Sequence, residues 1–499
     1  MEDSLKKRYS IKLFANIINA MVNIVLVGMV PKALGPIAYG QFIYIQNFFT
    51  QVIGFLDASS SMALFTKLSA RNSRKELISF YALFILGVLF ILLLMVIGLH
   101  VMKANAFFFP DIATHAIFLG ALFGFLTWMS QIFIKVSDAY ALTVSVEVIK
   151  IIHKIISLAV LYLLITYVTF DLSVYFYFHY FSLVVFLGIV GFLFVKKEIF
   201  TPMLFHIHFD IKGLLKEFFT FCSPLVVYTI IWLLVGFFDI WLLQKVAGSA
   251  QTGFYGLAYS IVALCFLFTS AMTPIVSREF SKAYDEKNLE RVRTLYLKYV
   301  PMLYSIASFL GIFVCLHSEA ILGIFTDNSF RDAKWVLVIM AFYPLHQTYG
   351  QLSGSIFYAM GETKRYKNIG VSFMLLGFFV TLILVYFFNL QAIGLAIKMV
   401  VLQLFTVNVQ LYFNAKALGL SLKYFLWHQI YALFYFFAIG AISSWLADVV
   451  TREIVWNLVI SGLLYTLFVI IFLYFFPKIV ALNKQELNTV FSRLFTTKG

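Results

Sequence analysis

The chain alternates long apolar runs with short polar loops over its whole length. A helix needs about 20 mostly apolar residues to cross a membrane, since it rises about 1.5 Å per residue. About fourteen runs meet this requirement, and they predict an all-α integral membrane protein. The predicted spans are 11–31, 41–66, 78–102, 115–136, 146–169, 174–195, 219–244, 253–276, 299–317, 335–358, 369–389, 394–414, 430–447 and 456–476.

A short motif occurs twice in this pattern, after the first span and after the seventh. Each copy has a lysine, then two glycines, then an aromatic residue, at the same spacing. Paired repeats of membrane helices are typical of transporters in which two lobes surround a central pathway. We therefore expect two pseudo-symmetric six-helix lobes around a central cavity, residues 1–200 and 201–416. Two extra spans and a tail follow in 417–499. The motif residues are Lys32, Gly35, Gly40 and Phe42, and Lys245, Gly248, Gly253 and Tyr255.

Composition and charge agree with this interpretation. The chain is 62% hydrophobic and 12% charged, whereas a soluble domain has about 25% charged residues. About 30 of the 37 Lys and Arg residues fall in loops on the side that holds both termini, and this bias predicts cytoplasmic termini. The net charge of +14 then reflects topology and contact with anionic lipids. Nucleic-acid binding is not indicated, because the basic residues are spread over many short loops.

The loops are too short for a soluble catalytic domain, and the three cysteines lie inside apolar runs and indicate no disulfide framework. The charged segment 281–299 predicts a helix lying on the cytoplasmic face. The sequence indicates no catalytic residue, cofactor or metal site. His206 and His208 have no third ligand at a recognisable spacing, and no nucleotide-binding motif occurs.

Amide and imidazole side chains within the spans are candidates for lining a hydrophilic cavity, because polar groups are costly in hydrocarbon. Several share one helical face at about 100° per residue. The alternative is that these groups only bond neighbouring helices. The candidates are Asn16, Asn19 and Asn23 of span 1, Asn47 and Gln51 of span 2, His346, Gln347 and Gln351 of span 10, and Gln403 and Gln410 of span 12.

Charged residues within the spans are the second group of candidates. Lys398 of span 12 could pair with a phosphate or carboxylate, or its ammonium could reach the outer interface. Lys154, with Lys150 and His153 in span 5, could meet an anionic headgroup or could anchor the helix. Three carboxylates are candidates for coupling transport to an ion gradient, although a structural salt bridge would equally explain Asp239. These are Asp57, Glu147 and Asp239.

Four segments resemble the polysaccharide transporters of the MOP superfamily, and in particular Wzx-type flippases. They are 33–42, 238–255, 274–289 and 359–364. The resemblance implies two six-helix lobes in a V, a polar or cationic cavity and alternating access. It further implies a bacterial inner-membrane protein that flips undecaprenyl-pyrophosphate-linked oligosaccharides to the external leaflet for O-antigen or capsule assembly. A polysaccharide polymerase and a chain-length regulator are the implied protein partners. Intramembrane cations are few for such a cavity, which suggests more hydrogen bonding to sugar through the amides.

Three other functions remain open at this stage. A multidrug or cation antiporter of the same superfamily would need a carboxylate-rich pocket, for which Asp57 and Glu147 are the support. A lipid II flippase would be expected to carry several arginines within the membrane. A membrane polymerase, ligase or glycosyltransferase acting on lipid-linked sugars would need a sizeable external loop with catalytic residues such as an Asp-x-Asp pair, and the sequence contains no such pair.

Overall fold

In the computed structural model, residues 5–70, 76–201 and 210–487 are described, and every regular element in these ranges is a helix. This confirms the predicted all-α class. Span 1 and most of span 2 form one kinked helix, and the end of span 2 is a separate short helix. Spans 3 to 6 are single helices. Their bounds are Leu5–Asp57, Ser60–Ala70, Glu76–Val101, Thr114–Ala139, Thr143–Tyr167 and Leu172–Lys196.

The later spans follow the same plan, with spans 7 and 8 again forming one kinked helix. Span 8 then continues after a short 3-10 turn, span 10 is divided in two, and span 11 ends in a π-helical segment. The bounds are Ile211–Ala263, Leu267–Asp285, Leu289–Leu316, Lys334–Met340, Tyr343–Ala359, Thr363–Thr381, Leu382–Phe387, Gln391–Leu418, Leu422–Val450 and Ile454–Phe475. Short helices, Asn105–Phe108 and Ser318–Phe325, lie in two connecting loops.

Among the described residues, 11 helices are long and apolar enough to cross a membrane. Two of them, Ile18–Asp57 and Thr229–Phe266, are about twice the necessary length and each contains a kink. Each therefore counts as two spans, and the divided helix of span 10 adds one more. The count of about fourteen made from the sequence agrees with this architecture.

The two kinks occur at the first glycine of each motif copy. Gly35 has φ 72° and ψ 169°, and Gly248 has φ 80° and ψ 179°. This region of backbone conformation is accessible almost exclusively to glycine, because a Cβ atom would clash with the chain. Nearly equal dihedral angles at equivalent positions show that the repeated motif is a repeated structure.

The second glycines bring the two motif copies into direct contact. A Cβ atom added to Gly40 would lie 1.8 Å from the carbonyl oxygen of Ser249, the residue after the second kink. A Cβ atom added to Gly253 would lie 2.3 Å from the carbonyl oxygen of Pro36, the residue after the first kink. Each glycine therefore packs against the backbone of the other copy in an equivalent, reciprocal way.

The chain divides into two compact units, Met1–Gly253 and Phe254–Gly499. In the first, an apolar cluster joins one end of each of spans 2 to 6 to the start of span 7, with Leu64, Phe80 and Phe194 among its buried members. In the second, spans 8, 9, 10, 12, 13 and 14 share a core that contains Tyr296 and Tyr349. The lobe boundaries at residues 200 and 416 stay a prediction.

The prediction of a separate surface helix over 281–299 is wrong. Span 8 continues to Asp285, the chain turns at Lys287 with φ 54°, and span 9 already begins at Leu289. The side chain of Asn288 accepts a hydrogen bond of 2.9 Å from the backbone N–H of Arg291 and so caps the new helix. The charged residues therefore belong to the ends of two spans that project beyond their apolar parts.

Candidate functional site

The clearest charged site of the first unit lies on one face of span 5. Glu147, Lys150 and Lys154 follow each other at three- and four-residue spacing and so share a helical face. Glu147 is buried, with 3% of its side chain exposed, and Lys150 is 26% exposed. The Lys150 ammonium donates to both carboxylate oxygens of Glu147, each at 3.0 Å.

Lys154 extends this face towards span 1. Its Nζ atom donates to Oδ1 of Asn23 at 3.2 Å, so two residues that the sequence proposed separately are in contact. Asn19 lies on span 1 one turn before Asn23 and is half-buried. The side chain of Asn16 lies outside the described part of the structure. We call Glu147, Lys150, Lys154 and Asn23 the span 5 site.

His153 is not part of this site, although it lies between the two lysines in the sequence. Its Nε2 atom donates to the backbone carbonyl of Ser182 in span 6 at 2.8 Å. The imidazole therefore helps to hold span 5 against span 6. Only the two lysines of the predicted trio share the face with Glu147.

The span 2 amides lie further along the first unit. Gln51 packs against Gly236 of span 7, where an added Cβ atom would be 3.0 Å from the Gln51 Nε2 atom. Its Oε1 atom is buried and has no hydrogen-bond partner within the described residues. Asn47 is half-buried, one turn before Gln51. A buried carbonyl oxygen without a donor is a candidate acceptor for a ligand hydroxyl or for water.

Asp57 ends the long first helix, and its carboxylate accepts hydrogen bonds from Ser60, Ser61 and Tyr81 at 2.8 to 3.1 Å. One of these bonds comes from the backbone N–H of Ser61, so Asp57 caps the helix that follows. Lys135 of span 4, which the sequence interpretation did not select, donates to Ser61 Oγ at 2.6 Å. The capping role gives Asp57 a structural function, and its predicted ion coupling stays a prediction.

Asp239 of span 7 is buried, with 7% exposed. Six residues further along span 7, Lys245 places its ammonium over the rings of Phe107 and Trp241, at 4.2 and 4.7 Å from their centroids. The indole N–H of Trp241 donates to the Phe107 carbonyl at 3.0 Å. These contacts attach the loop after span 3 to span 7. They give Lys245 a packing role in addition to any contact with a ligand.

The second unit contains a polar line made mostly of amides and hydroxyls. Gln403 of span 12 donates to Gln347 Oε1 of span 10 at 2.6 Å. Gln351, one turn further on span 10, accepts from Thr273 of span 8 at 3.3 Å. His346 is 5% exposed, and its Nδ1 atom has no hydrogen-bond partner in the described ranges. Three of the candidate amides thus bond to a neighbouring helix, and their predicted role in lining a cavity stays a prediction.

Gln410 continues this line and is 5% exposed, with a buried Oε1 atom that lacks a donor among the described residues. Asn414, one turn later, was missed by the sequence interpretation. It is fully buried and donates to the Ser353 carbonyl at 3.0 Å. Its position four residues after Gln410, on the same helical face, was the available signal.

Lys398 lies apart from this line. It is 6% exposed, and its Cε and Nζ atoms would lie 3.1 and 3.5 Å from a Cβ atom added to Gly377 of span 11. The glycine makes room for the lysine stem between spans 11 and 12. This burial favours a packing role, and contact with a substrate stays a prediction.

Among the candidate residues, the pair of Glu147 and Lys150 lies in the first unit, and the contact between Gln347 and Gln403 lies in the second. No group of three His, Cys, Asp or Glu side chains in the described ranges could hold a metal ion. His206 and His208 lie outside these ranges.

Comparisons with known proteins identify the fold. The MatE family model matches residues 224–387, about a third of the chain. The lipid II flippase MurJ, in an inward closed conformation, is 16% identical with a TM-score of 0.67, and the match covers 93% of this chain and 98% of that one. An inward-facing multidrug resistance MATE family transporter of the MOP superfamily is 15% identical with a TM-score of 0.61, covering 84% and 99%.

A MOP superfamily transporter from Pyrococcus furiosus, described as having a binding pocket of reversed polarity, is 15% identical. Its TM-score is 0.51, and the match covers 84% of this chain and 94% of that one. No curated protein sequence matches the chain. The resemblance to the MOP superfamily is confirmed at the level of the fold, and that to Wzx-type flippases stays a prediction. Residues 224–387 match the MatE family model, and the chain has the fold of the MATE transporters and of the MurJ flippase.

Proposed function

We propose that the chain is a flippase that moves undecaprenyl-pyrophosphate-linked oligosaccharides from the cytoplasmic to the external leaflet by alternating access. The span 5 site is the observation that carries this proposal. It places two lysines and an asparagine on facing helices within an apolar chain. Ionisable groups are costly inside a membrane, so two lysines on one face of a predicted span support an anionic ligand or a water-filled cavity.

A diphosphate suits this site in charge and in hydrogen bonding. Ammonium groups form short, charge-assisted hydrogen bonds with phosphate oxygens. Lys154 uses one of its three N–H groups on Asn23, which leaves donors for a phosphate among the described contacts. Span 5 begins at Thr143 on the predicted cytoplasmic side, so Lys150 and Lys154 lie where a headgroup from the cytoplasmic leaflet would enter.

The amides of the second unit suit the sugar part of the same ligand. Sugars present many hydroxyl groups, each able to donate and accept, and amides complement both roles. Two such contacts already exist between helices. Gln403 donates to Gln347, and Gln351 accepts from Thr273 of span 8. Gln410 and Gln51 retain buried carbonyl oxygens without donors in the described structure. These groups support recognition of an uncharged, hydroxyl-rich ligand.

Two of the three candidate carboxylates already have partners, and this favours the flippase over the multidrug or cation antiporter, the nearest alternative with this fold. A cationic drug needs a carboxylate that can pair with it in the membrane. Asp57 caps a helix by accepting from Ser61, which in turn accepts from Lys135. Glu147 is paired with Lys150. The match to MurJ also extends over more of this chain than the match to the MATE transporter does.

The proposal includes the predicted location in the bacterial inner membrane with cytoplasmic termini, and a role in O-antigen or capsule assembly. A polymerase and a chain-length regulator would then act on the flipped product. No chemical reaction is proposed, because flipping changes only the leaflet in which the substrate lies. Net direction would come from an ion gradient or from removal of the product by polymerisation.

A strain that lacks the gene tests the proposal. Its lipids are extracted, and undecaprenyl-pyrophosphate oligosaccharide is quantified by mass spectrometry. We expect a single repeat unit to accumulate on the cytoplasmic leaflet while the surface polymer is lost. Normal polymer without accumulation, together with new sensitivity to cationic drugs, would refute the flippase and favour the antiporter.

Complementation then tests the site. The Lys154→Met variant keeps the length and apolar stem of the side chain but removes its charge. We expect it to express normally and to restore little polymer. The matched control is Lys423→Met, at an exposed lysine near the start of span 13, and it should restore polymer fully.

A further inference from the structure

We propose that Glu147 competes with the diphosphate for Lys150 and so limits how tightly the span 5 site holds its ligand. This inference rests on the proposed function. The observation behind it is that a lysine suited to an anionic ligand is already bound by a buried carboxylate. Both oxygens of Glu147 accept from the same ammonium at 3.0 Å, and the carboxylate is 3% exposed.

The count of donors shows why the competition is direct. A lysine ammonium has three N–H groups, and Lys150 gives two of them to Glu147. A diphosphate that contacts Lys150 fully must take over at least one of these bonds. Lys154, by contrast, gives one N–H to a neutral amide, Asn23, and can meet a phosphate without losing an ionic partner.

The count of charges leads to the same conclusion. Two lysines and one glutamate give the span 5 site a net charge of one, whereas the diphosphate bridge of a lipid-linked sugar carries about two negative charges at neutral pH. Two lysines without Glu147 would neutralise the ligand completely. With Glu147 present, the bound state retains one negative charge in a poorly screened environment.

Incomplete neutralisation serves a transporter, which must release the same ligand that it binds. Interactions that stabilise the bound ground state without stabilising the transition state slow turnover once the site is saturated. Glu147 can take back Lys150 as the ligand leaves, so the lysine is never left without a partner. Glu147 would thus be a positioning residue that sets affinity through Lys150 and does not touch the ligand.

The informative variants avoid an unpaired buried carboxylate, which is strongly destabilising. Lys150→Gln alone would create one, so it is made only together with Glu147→Gln. Glu147→Gln alone removes the competing carboxylate. Lys150 then loses its ionic partner, but water can solvate its ammonium because the side chain is already 26% exposed. Glu290→Gln is the matched control, because it makes the same charge change at a residue 78% exposed in the first turn of span 9.

Binding of undecaprenyl pyrophosphate to the purified full chain in nanodiscs is the first measurement. We expect Glu147→Gln to bind on the order of tenfold more tightly than the wild type, because a nearby negative charge is removed. The double variant should bind more weakly than the wild type, and Glu290→Gln should bind equally. Glu147→Gln binding no more tightly than the wild type would overturn the inference.

Flipping of the repeat unit by the same purified proteins, reconstituted into vesicles, is the second measurement. We expect Glu147→Gln to lower KM and turnover together, whereas a merely structural role would lower turnover and leave KM unchanged. A wild type that flips the substrate while Glu147→Gln keeps its KM would sink the inference and leave the proposed function standing. A wild type that neither binds undecaprenyl pyrophosphate nor flips its conjugates would overturn both.

Discussion

The reciprocal contact between the two motif copies can be tested by adding one methyl group. In Gly40→Ala, the new Cβ atom would lie 1.8 Å from the Ser249 carbonyl oxygen, whereas real contacts of this kind are not shorter than about 3 Å. The opposing atom belongs to a helical backbone and cannot rotate away. One of the two helices must therefore shift by more than about 1 Å.

The expected loss of stability follows from two opposing effects. Overpacking of this kind costs about 1–3 kcal/mol, while alanine is favoured over glycine within a helix by about 0.5–1 kcal/mol. The net effect is a destabilisation of up to about 2.5 kcal/mol. For a chain of this size, we expect the apparent Tm of the purified protein to fall by about 1–2 °C.

The assay is thermal unfolding in detergent followed by intrinsic fluorescence, with Gly87→Ala as the matched control. Gly87 also lies within a spanning helix, but an added Cβ atom there meets nothing within 4 Å. The control therefore keeps the gain in helix propensity without the clash, and its Tm should rise slightly or stay unchanged. Equal Tm values for Gly40→Ala and Gly87→Ala would refute the close contact.

Three further predictions concern other positions. Gly35→Ala and Gly248→Ala should each cost about 1–3 kcal/mol, because both glycines have backbone angles that other residues avoid, and a Tm loss at only one of them would contradict the structural repeat. Lys398→Met should largely restore polymer in the deletion strain, since the side chain is buried against span 11, whereas failure equal to that of Lys154→Met would give Lys398 a role in binding. The Lys298 ammonium, 2.6 Å from Glu486, holds the pKa of that carboxyl below its usual range, assisted by the Asn483 backbone N–H. This stabilisation is present above the unfolded pKa of about 4.3 and is lost as the pH falls through the folded pKa. Because the pair is partly exposed, Glu486→Gln should lower the Tm by no more than about 1 °C at pH 7 and not at pH 3, and an equal loss at both pH values would contradict the ion pair.

The sequence predicted the helices well, because an apolar run of sufficient length has few alternatives in a membrane. It placed their ends less well. Span 9 begins about ten residues before its apolar part, at a cap made by Asn288. Charged helix ends that project beyond the membrane resemble loops in composition, and this explains the incorrect surface helix at 281–299.

The residue pairs at the candidate site were predictable only in part. Periodicity correctly put Gln347 and Gln351 on one face of span 10, and both bond to neighbouring helices. It could not show which helix each face meets, so the contact between Asn23 and Lys154 was not foreseen. Lys135 was missed because a lysine near the end of a span is indistinguishable in sequence from a residue that sets topology.

The two repeats have kept their backbone geometry more strictly than their polar chemistry. The kink glycines have nearly equal dihedral angles, and Gly40 and Gly253 make equivalent contacts. The polar residues near them are not repeated in this way, since Asn23 and Gln51 correspond to Gly236 and Leu264 at the spacing of the motif. A glycine at a close contact has no substitute, because any Cβ atom forces the helices apart. A side chain outside such a contact is under no such restriction, since water or a neighbouring side chain can fill the space that it leaves. The repeated glycines therefore record how the helices must pack, whereas the polar residues are free to follow the chemistry of a ligand.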